Sequence, residues 1–284
     1  LYIPYKAVGV VTDGSPFCIN QLGTETFLTV SIGSVFQVYR TDKLTVCLVS
    51  QETPNSDKIN SIAVADKETF CAVGNNVLVY NRNKLVRTYS CHNSQVLGLC
   101  IVGRTLLSWD ITGNIKIIDT KNRNVISELS SLQNSIITCV SHPSTYINKF
   151  LIGYKNGNLE LWNVKKCNLI YTFQCHIDYF NKLYENENSL NSDINNDIDF
   201  FSRNIFNKEK ENNSNNGSSN IPSVTCLTQS PATDVYGIGF SDGTILCINL
   251  KLDKLLFSFK QLGSSTSASA SASNGNAVTS LSFR

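Results

Sequence analysis

Short apolar runs of about five or six residues, rich in Val, Ile, Leu and Tyr, alternate along this chain with Gly, Asn and Asp. Runs of that length bounded by turn residues predict β-strands, and the periodicity of long helices is almost absent. The runs fall in groups of four. One group is Val96–Ile101, Thr105–Trp109, Ile115–Asp119 and Val125–Leu129. The next is Ile136–Val140, Lys149–Tyr154, Leu159–Asn163 and Leu169–Phe173. Another is Val224–Leu227, Val235–Phe240, Thr244–Asn249 and Lys254–Phe259, and less regular groups begin near Phe17 and Ile59. First strands start near positions 17, 59, 96, 136, 224 and 278, at intervals of 42, 37, 40, 88 and 54. The two long intervals contain a polar tract of about 46 residues and a Ser/Ala tract of about 14; without them both fall near 40.

A four-stranded unit repeating every 40–45 residues or so is the pattern of a WD-repeat propeller blade. The turns agree. Second and third strands meet at Thr112-Gly113-Asn114, Asn156-Gly157-Asn158 and Asp242-Gly243-Thr244. Glycine suits such hairpins because they need positive φ. Third strands of WD blades tend to end in Trp-Asp; here Trp162-Asn163, Ile118-Asp119 and Ile248-Asn249 are degenerate forms. The expected fold is therefore all-β. It is a WD-repeat propeller of four-stranded antiparallel blades over residues 1–284, with five blades and an incomplete ring. Val278–Phe283 reads as the first strand of a sixth blade and Tyr5–Val11 as a lone strand. More sequence is expected beyond Arg284.

Residues 177–222 are rich in Asn, Asp, Glu and Ser, and residues 263–276 in Gly, Ser, Ala and Asn. Neither can bury enough apolar surface to offset its ordering entropy. Both are expected to be mobile loops, and long insertions are tolerated there. Aromatic residues in the larger tract, among them Tyr179, Phe180 and Tyr184, leave open a docking motif. That tract carries eight acids against four bases, so the remaining chain holds 20 basic and 14 acidic residues. A mild basic excess permits contact with RNA without arguing for it.

The ten cysteines lie mostly inside apolar runs with no CxxC pair, as reduced core thiols do. No Met is present, no signal-peptide pattern opens the chain and no apolar run reaches membrane-spanning length. No membrane partner, cofactor, metal site or small-molecule substrate is expected. His92 and His176 each follow a Cys at the end of a blade's fourth strand, where a structural Gly-His pair usually stands. For His92 the expected partners are Ser108, Thr112 and Ile118, of which Ser108 alone has suitable chemistry. For His176 the turn acid is Asp242, with Ile248 in place of Trp. Asp119, Gly157, Trp162 and Gly243 complete the expected structural blade positions. His142 lacks a nucleophile elbow nearby, and Gly237–Gly243 lacks the spacing of a nucleotide loop. The chain is not expected to be an enzyme.

Two stretches exceed blade physics. His142-Pro143-Ser144-Thr145-Tyr146-Ile147-Asn148-Lys149 runs into Phe150–Gly153 and Gly157–Val164. The other is Pro231–Gly239. Both resemble the family of U-three small-nucleolar-RNA-associated protein 21, also called WD-repeat protein 36. Leu1–Lys6 and Val278–Arg284 resemble it in the same order. The resemblance implies the first of two tandem propellers of a nucleolar scaffold, a subunit of the small-subunit processome that supports small-subunit pre-rRNA processing. Its implied partners are other processome proteins, with small nucleolar ribonucleoprotein and pre-rRNA contacted mostly indirectly. The alternative is a WD-repeat adaptor of another pathway, such as ubiquitin ligase substrate capture or trafficking. The best candidate interaction loop is Thr145, Tyr146, Ile147, Asn148 and Lys149. The bland reading packs Tyr146 and Ile147 on the neighbouring blade.

Overall fold

The structure, a computed structural model, describes residues 16–122, 124–130, 135–194, 221–232, 234–260 and 277–283, the side chains of 186–194 excepted. Five four-stranded antiparallel sheets follow one another along the chain, each with its strands in sequence order. The first holds β1 (Phe17–Leu22), β2 (Glu25–Ile32), β3 (Val35–Arg40) and β4 (Thr45–Val49). The second holds β5 (Ser61–Ala65), β6 (Glu68–Val73), β7 (Asn76–Asn81) and β8 (Lys84–Tyr89). The third holds β9 (Val96–Val102), β10 (Thr105–Asp110), β11 (Asn114–Asp119) and β12 (Asn124–Ser130). The fourth holds β13 (Ile137–Ser141), β14 (Lys149–Tyr154), β15 (Leu159–Asn163) and β16 (Asn168–Thr172). The fifth holds β17 (Val224–Gln229), β18 (Val235–Phe240), β19 (Thr244–Asn249) and β20 (Lys254–Lys260). These are the blades of a propeller that no hydrogen-bonded ladder closes. The expected strand at Tyr5–Val11 and the tract at 263–276 lie outside the described residues.

Burial follows strand position. Second and third strands are largely covered, most completely in β6, where five of six residues are buried. Outermost strands are largely exposed. A blade sandwiched between blades imposes that gradient, because the middle strands pack on both faces while the outer edge meets water. The turn glycines Gly113, Gly157 and Gly243 share φ of +85°, which a side chain rarely adopts.

The chain divides into two compact units, the first three sheets and the last two. In the first unit, Phe36, Ile59, Ile62, Leu78 and Tyr80 fill the space between the first and second sheets. Ala63, Phe70, Val79, Val96, Leu106 and Ile118 fill that between the second and third. In the second unit, Leu151, Leu161 and Phe173 of the fourth sheet pack with Tyr236, Ile238 and Phe240 of the fifth.

Two glycines mark the same joint twice. A Cβ on Gly153 would lie 2.6 Å from Val224 Cγ1 and 2.8 Å from Cys139 Sγ. A Cβ on Gly239 would lie 2.7 Å from Val278 Cγ1 and 2.6 Å from Cys226 Sγ. Val278 thus sits on the fifth sheet as Val224, in the fifth, sits on the fourth. Its N–H donates to Phe240 O at 3.1 Å. Residues 277–283 occupy a first strand's place without strand pairing, because a single strand has no sheet of its own to bond. On the fifth sheet's same face, Phe257 and Phe259 are 65% and 57% exposed, whereas Phe173 in the fourth is fully buried.

The polar tract departs from its expectation as a mobile loop over 177–222. Cys175–Ile194 is an α-helix, α1; residues 195–220 lie outside the described residues. The composition of the whole tract is too polar for a core, but its first residues are not. His176, Phe180 and the half-buried Tyr179, Leu183 and Tyr184 fall on one helical face and join the second unit's core.

Candidate functional site

The Thr145–Lys149 loop joins β13 to β14, and most of it is spent on the fold. Tyr146 N–H donates to Pro143 O at 3.0 Å, closing a turn. Ser144 donates twice to Gln229 Oε1, from N at 2.7 Å and Oγ at 2.9 Å. Gln229 Nε2 donates to Thr145 Oγ1 at 3.2 Å. Ser141 Oγ meets the Tyr236 hydroxyl at 2.9 Å, and His142 Nδ1 donates to Lys149 O at 2.7 Å. The bonds to Gln229 and Tyr236 tie the fourth sheet to the fifth. Tyr146 packs on the core beneath Lys149, whose Nζ stands 4.8 Å above its ring. Burial, with hydrogen bonding to Asp234, pushes the Tyr146 phenol up to about 12. Ile147 departs from the packed reading and is 81% exposed, beside the left-handed Asn148 at φ +57°.

His92 is buried and meets Ser108, as expected, together with an acid that the sequence expectation did not include. Nε2 lies 2.8 Å from Ser108 Oγ, and Nδ1 donates to Asp110 Oδ2 at 3.0 Å. Asp110 stands at the end of β10, two residues before Thr112, where β10 slips register on β9. Its Oδ1 accepts from Thr112 N at 2.9 Å, Thr112 Oγ1 at 2.5 Å and Asn114 N at 3.1 Å. Burial pushes the Asp110 carboxyl up, but the hydrogen bonds from Thr112, His92 and Asn114 outweigh it and hold it below the ordinary range. Asp119 caps the next turn, accepting from Lys121 N at 2.8 Å and Asn122 N at 3.1 Å. Asn249 does the same in the fifth sheet for Lys251 and Leu252, so the degenerate final residue of a third strand keeps its turn role.

In the fourth sheet Trp162 Nε1 donates to Glu160 Oε2 at 2.8 Å, and the Tyr154 hydroxyl donates to the same oxygen at 2.7 Å. Glu160 is fully buried. The sequence reading missed it, although Glu160 and Trp162 share a strand face.

His176 has neither partner of the His92 kind. Asp242 instead accepts from Thr244, N at 3.0 Å and Oγ1 at 2.6 Å. At the position equivalent to Asp110 stands Phe240, and the His176 ring stacks on it with centroids 6.4 Å apart. Nε2 donates to Gly157 O at 3.0 Å, while buried Nδ1 has no hydrogen-bond partner among the described residues. Nearby, Asp253 of the β19–β20 turn caps α1. Its carboxylate accepts from Gln174 N at 2.9 Å, Cys175 N at 3.2 Å and the Tyr171 hydroxyl at 2.8 Å. A carboxylate there satisfies free N–H groups and suits the helix dipole.

Burial holds His176 down to about 4 against an ordinary 6.5. A histidine buried neutral stabilises fully above its unfolded pKa and loses that contribution as pH falls toward its folded one. Lowering pH from about 6.5 to about 4 should cost the α1 docking up to about 3 kcal/mol. Hydrogen exchange of α1 amides across that range checks this; protection that is flat down to pH 4 would refute it. Asp253, whose burial is outweighed by bonds from Cys175, Gln174 and Tyr171, is held low and acts only at still lower pH.

Among the described residues, no group of three or more His, Cys, Asp or Glu is arranged to hold a metal, and all ten cysteines are free. Four-stranded blades whose second and third strands meet in glycine turns, with a buried His-Ser-Asp set, define a protein of the WD-repeat propeller class. The family described as "WDR36/Utp21 first beta-propeller" matches residues 28–284, and the chain belongs to it. It is 25% identical over 275 residues to the "U3 small nucleolar RNA-associated protein 21 homolog" of Schizosaccharomyces pombe, covering 95% of this chain and 26% of that protein. Human "WD repeat-containing protein 36" is 26% identical over 288 residues, covering all of this chain and 26% of its own length. The Saccharomyces cerevisiae "U3 small nucleolar RNA-associated protein 21" is 27% identical over 182 residues, 61% of this chain and 19% of that one. The chain thus spans about a quarter of the length of the first two relatives. The crystal structure of the computationally designed protein Ika8 shares the fold at a TM-score of 0.56 and 12% identity, covering 85% of this chain and 60% of that one.

Proposed function

We propose that this chain is a non-catalytic propeller scaffold of ribosome biogenesis. It serves in the nucleolus as part of a small-subunit processome component and supports small-subunit pre-rRNA processing. The family match over residues 28–284 carries the reading, and the names of the relatives, which associate them with the U3 small nucleolar RNA, give it direction. The geometry supports a holding role. The polar groups of the blade joints are spent on one another, and Ile147 is the part of the Thr145–Lys149 loop left for a protein neighbour. Affinity purification of the full-length protein should recover processome proteins, U3 RNA and small-subunit pre-rRNA. Recovery of ubiquitin ligase or vesicle-coat subunits in their place would overturn the reading.

A further inference from the structure

Neighbouring sheets within each compact unit meet at joints, and the joints differ in what fills their ends. In an up-and-down sheet, the turns joining first to second and third to fourth strands lie at one end. At that end of the fourth and fifth sheets, the β13–β14 connection is long, residues 142–148. It docks on Gln229 through Ser144 and Thr145. It also lays Tyr146 on the core, with the hydroxyl bonded to Asp234 of the β17–β18 turn.

At the same end of the first and second sheets, the β1–β2 turn is Gly23-Thr24 alone. Ile59 and Val224 are both fully buried and lead into the first strands of their sheets. Val64 stands five residues after Ile59, as Gln229 stands five after Val224, so Val64 holds the place of Gln229. A two-residue turn cannot reach over it. The result is an open cleft of about 350 Å³ walled by Leu22, Phe27, Val38, Leu48 and Val64. The cleft between the second and third sheets is different in kind, with Leu22 and Ala65 the apolar residues in an otherwise polar lining.

The rim of the apolar cleft carries Asp66, Lys67 and Arg82. All three are exposed, and none has an ion pair with a described residue. Glu68 stands beside them, half-buried and with a partner of its own. These charges are close to balance, so the rim favours no polyanion and the apolar walls must supply the affinity. A phenol with a carboxylate next to it matches the set. The ring meets the walls, the hydroxyl has Asp66 as acceptor, and the carboxylate has Lys67 and Arg82. The rim is also preformed. Asp66 and Arg82 hold φ of +52° and +56°, and Arg82 N–H donates to Lys67 O at 3.5 Å. A preformed site loses less freedom on binding.

We propose that this cleft binds an extended segment of a partner protein through a tyrosine flanked by acidic residues, its ring seated as Tyr146 is seated at the joint of the fourth and fifth sheets. Such a partner need not belong to ribosome biogenesis, so the cleft and that reading stand or fall separately. An aromatic ring brings about 150–250 Å² of contact area. Aromatic anchors in pockets carry most of the energy of an interface. A single anchor gives a weak complex, with a dissociation constant of about 10–100 µM.

The test uses full-length protein and a fluorescein-labelled decapeptide, Gly-Ser-Glu-Glu-Tyr-Glu-Glu-Ser-Gly-Ser, followed by anisotropy. The parent should bind it at least about tenfold more tightly than the same peptide with Ala for Tyr. Leu22→Asn should weaken binding about tenfold. Ile111→Asn, at a similarly exposed apolar residue in the β10–β11 turn of the opposite end, should change it by less than about twofold. With Phe for Tyr in the peptide, the parent should bind about fivefold more weakly. Asp66→Gly keeps the backbone unstrained at positive φ and should abolish that Tyr–Phe difference. Unfolding midpoints check that each variant folds, and if Leu22→Asn does not, the Ala and Phe peptides on the parent still decide. Equal binding of the Tyr and Ala peptides, or equal weakening by Leu22→Asn and Ile111→Asn, overturns the proposal. Displacement of the peptide by an equal concentration of a 10-nucleotide oligouridylate also overturns it, in favour of a nucleic acid. A Tyr–Phe difference that survives Asp66→Gly overturns the placing of the hydroxyl on Asp66.

Discussion

Asp110→Ala should destabilise the protein by about 1–3 kcal/mol, the range for leaving a buried polar group without its partner. One carboxylate serves His92, both donors of Thr112 and the Asn114 N–H, and it is 2% exposed. Its loss leaves the buried His92 without that partner, while exposed Thr112 and half-buried Asn114 can turn to water, and an unmet buried donor costs more than a made bond returns. Asp110→Asn keeps an acceptor for the turn and should cost markedly less. Urea unfolding separates the two: the Ala midpoint should fall well below the Asn midpoint. Coincident Ala and Asn midpoints would show that the turn bonds contribute nothing, and an Asn midpoint equal to the parent's would show the same of the His92–Asp110 pair.

Phe180→Ala should cost more, about 3–5 kcal/mol, because a buried ring leaves both lost transfer energy and a cavity. Phe180 is 2% exposed and meets Phe240 edge-on with centroids 4.9 Å apart. Hydrogen exchange should show the α1 amides losing protection together. If the insertion were idle where it leaves the fourth sheet, the substitution would shift stability by less than about half a kilocalorie, as exposed changes do.

The blades were legible because two signals agreed. Apolar runs at a spacing of about 40 set the strands, and Gly113, Gly157 and Gly243 set the turns between them. The His92 network was half legible. Ser108 stands at its expected offset, but the acid was sought at Thr112, next to the turn glycine, and lies at Asp110. The bulge between Trp109 and Asp110 that aims the carboxylate at the imidazole leaves no mark in the residue pattern. Helix α1 was hidden for another reason. Its apolar face spans a few residues at the start of a long polar tract, and averaging over the tract dilutes it. A window restricted to 176–184 shows the i, i+4 spacing of His176, Phe180 and Tyr184.

The cap on α1 also sets an order of events during synthesis. Asp253 follows Cys175 by 78 residues, so the helix emerges from the ribosome before the carboxylate that closes its first turn has been made. At roughly 5–20 residues per second, translation leaves the segment uncapped for about 4–16 s. Phe240, the ring that receives both His176 and Phe180, arrives within that same interval. The fourth sheet can complete its ladder while the insertion beside it waits, and the growing chain spends those seconds with an aromatic face uncovered. Chaperone occupancy or proteolytic nicking during synthesis would therefore concentrate at Tyr179–Tyr184 and cease once the fifth sheet had been translated.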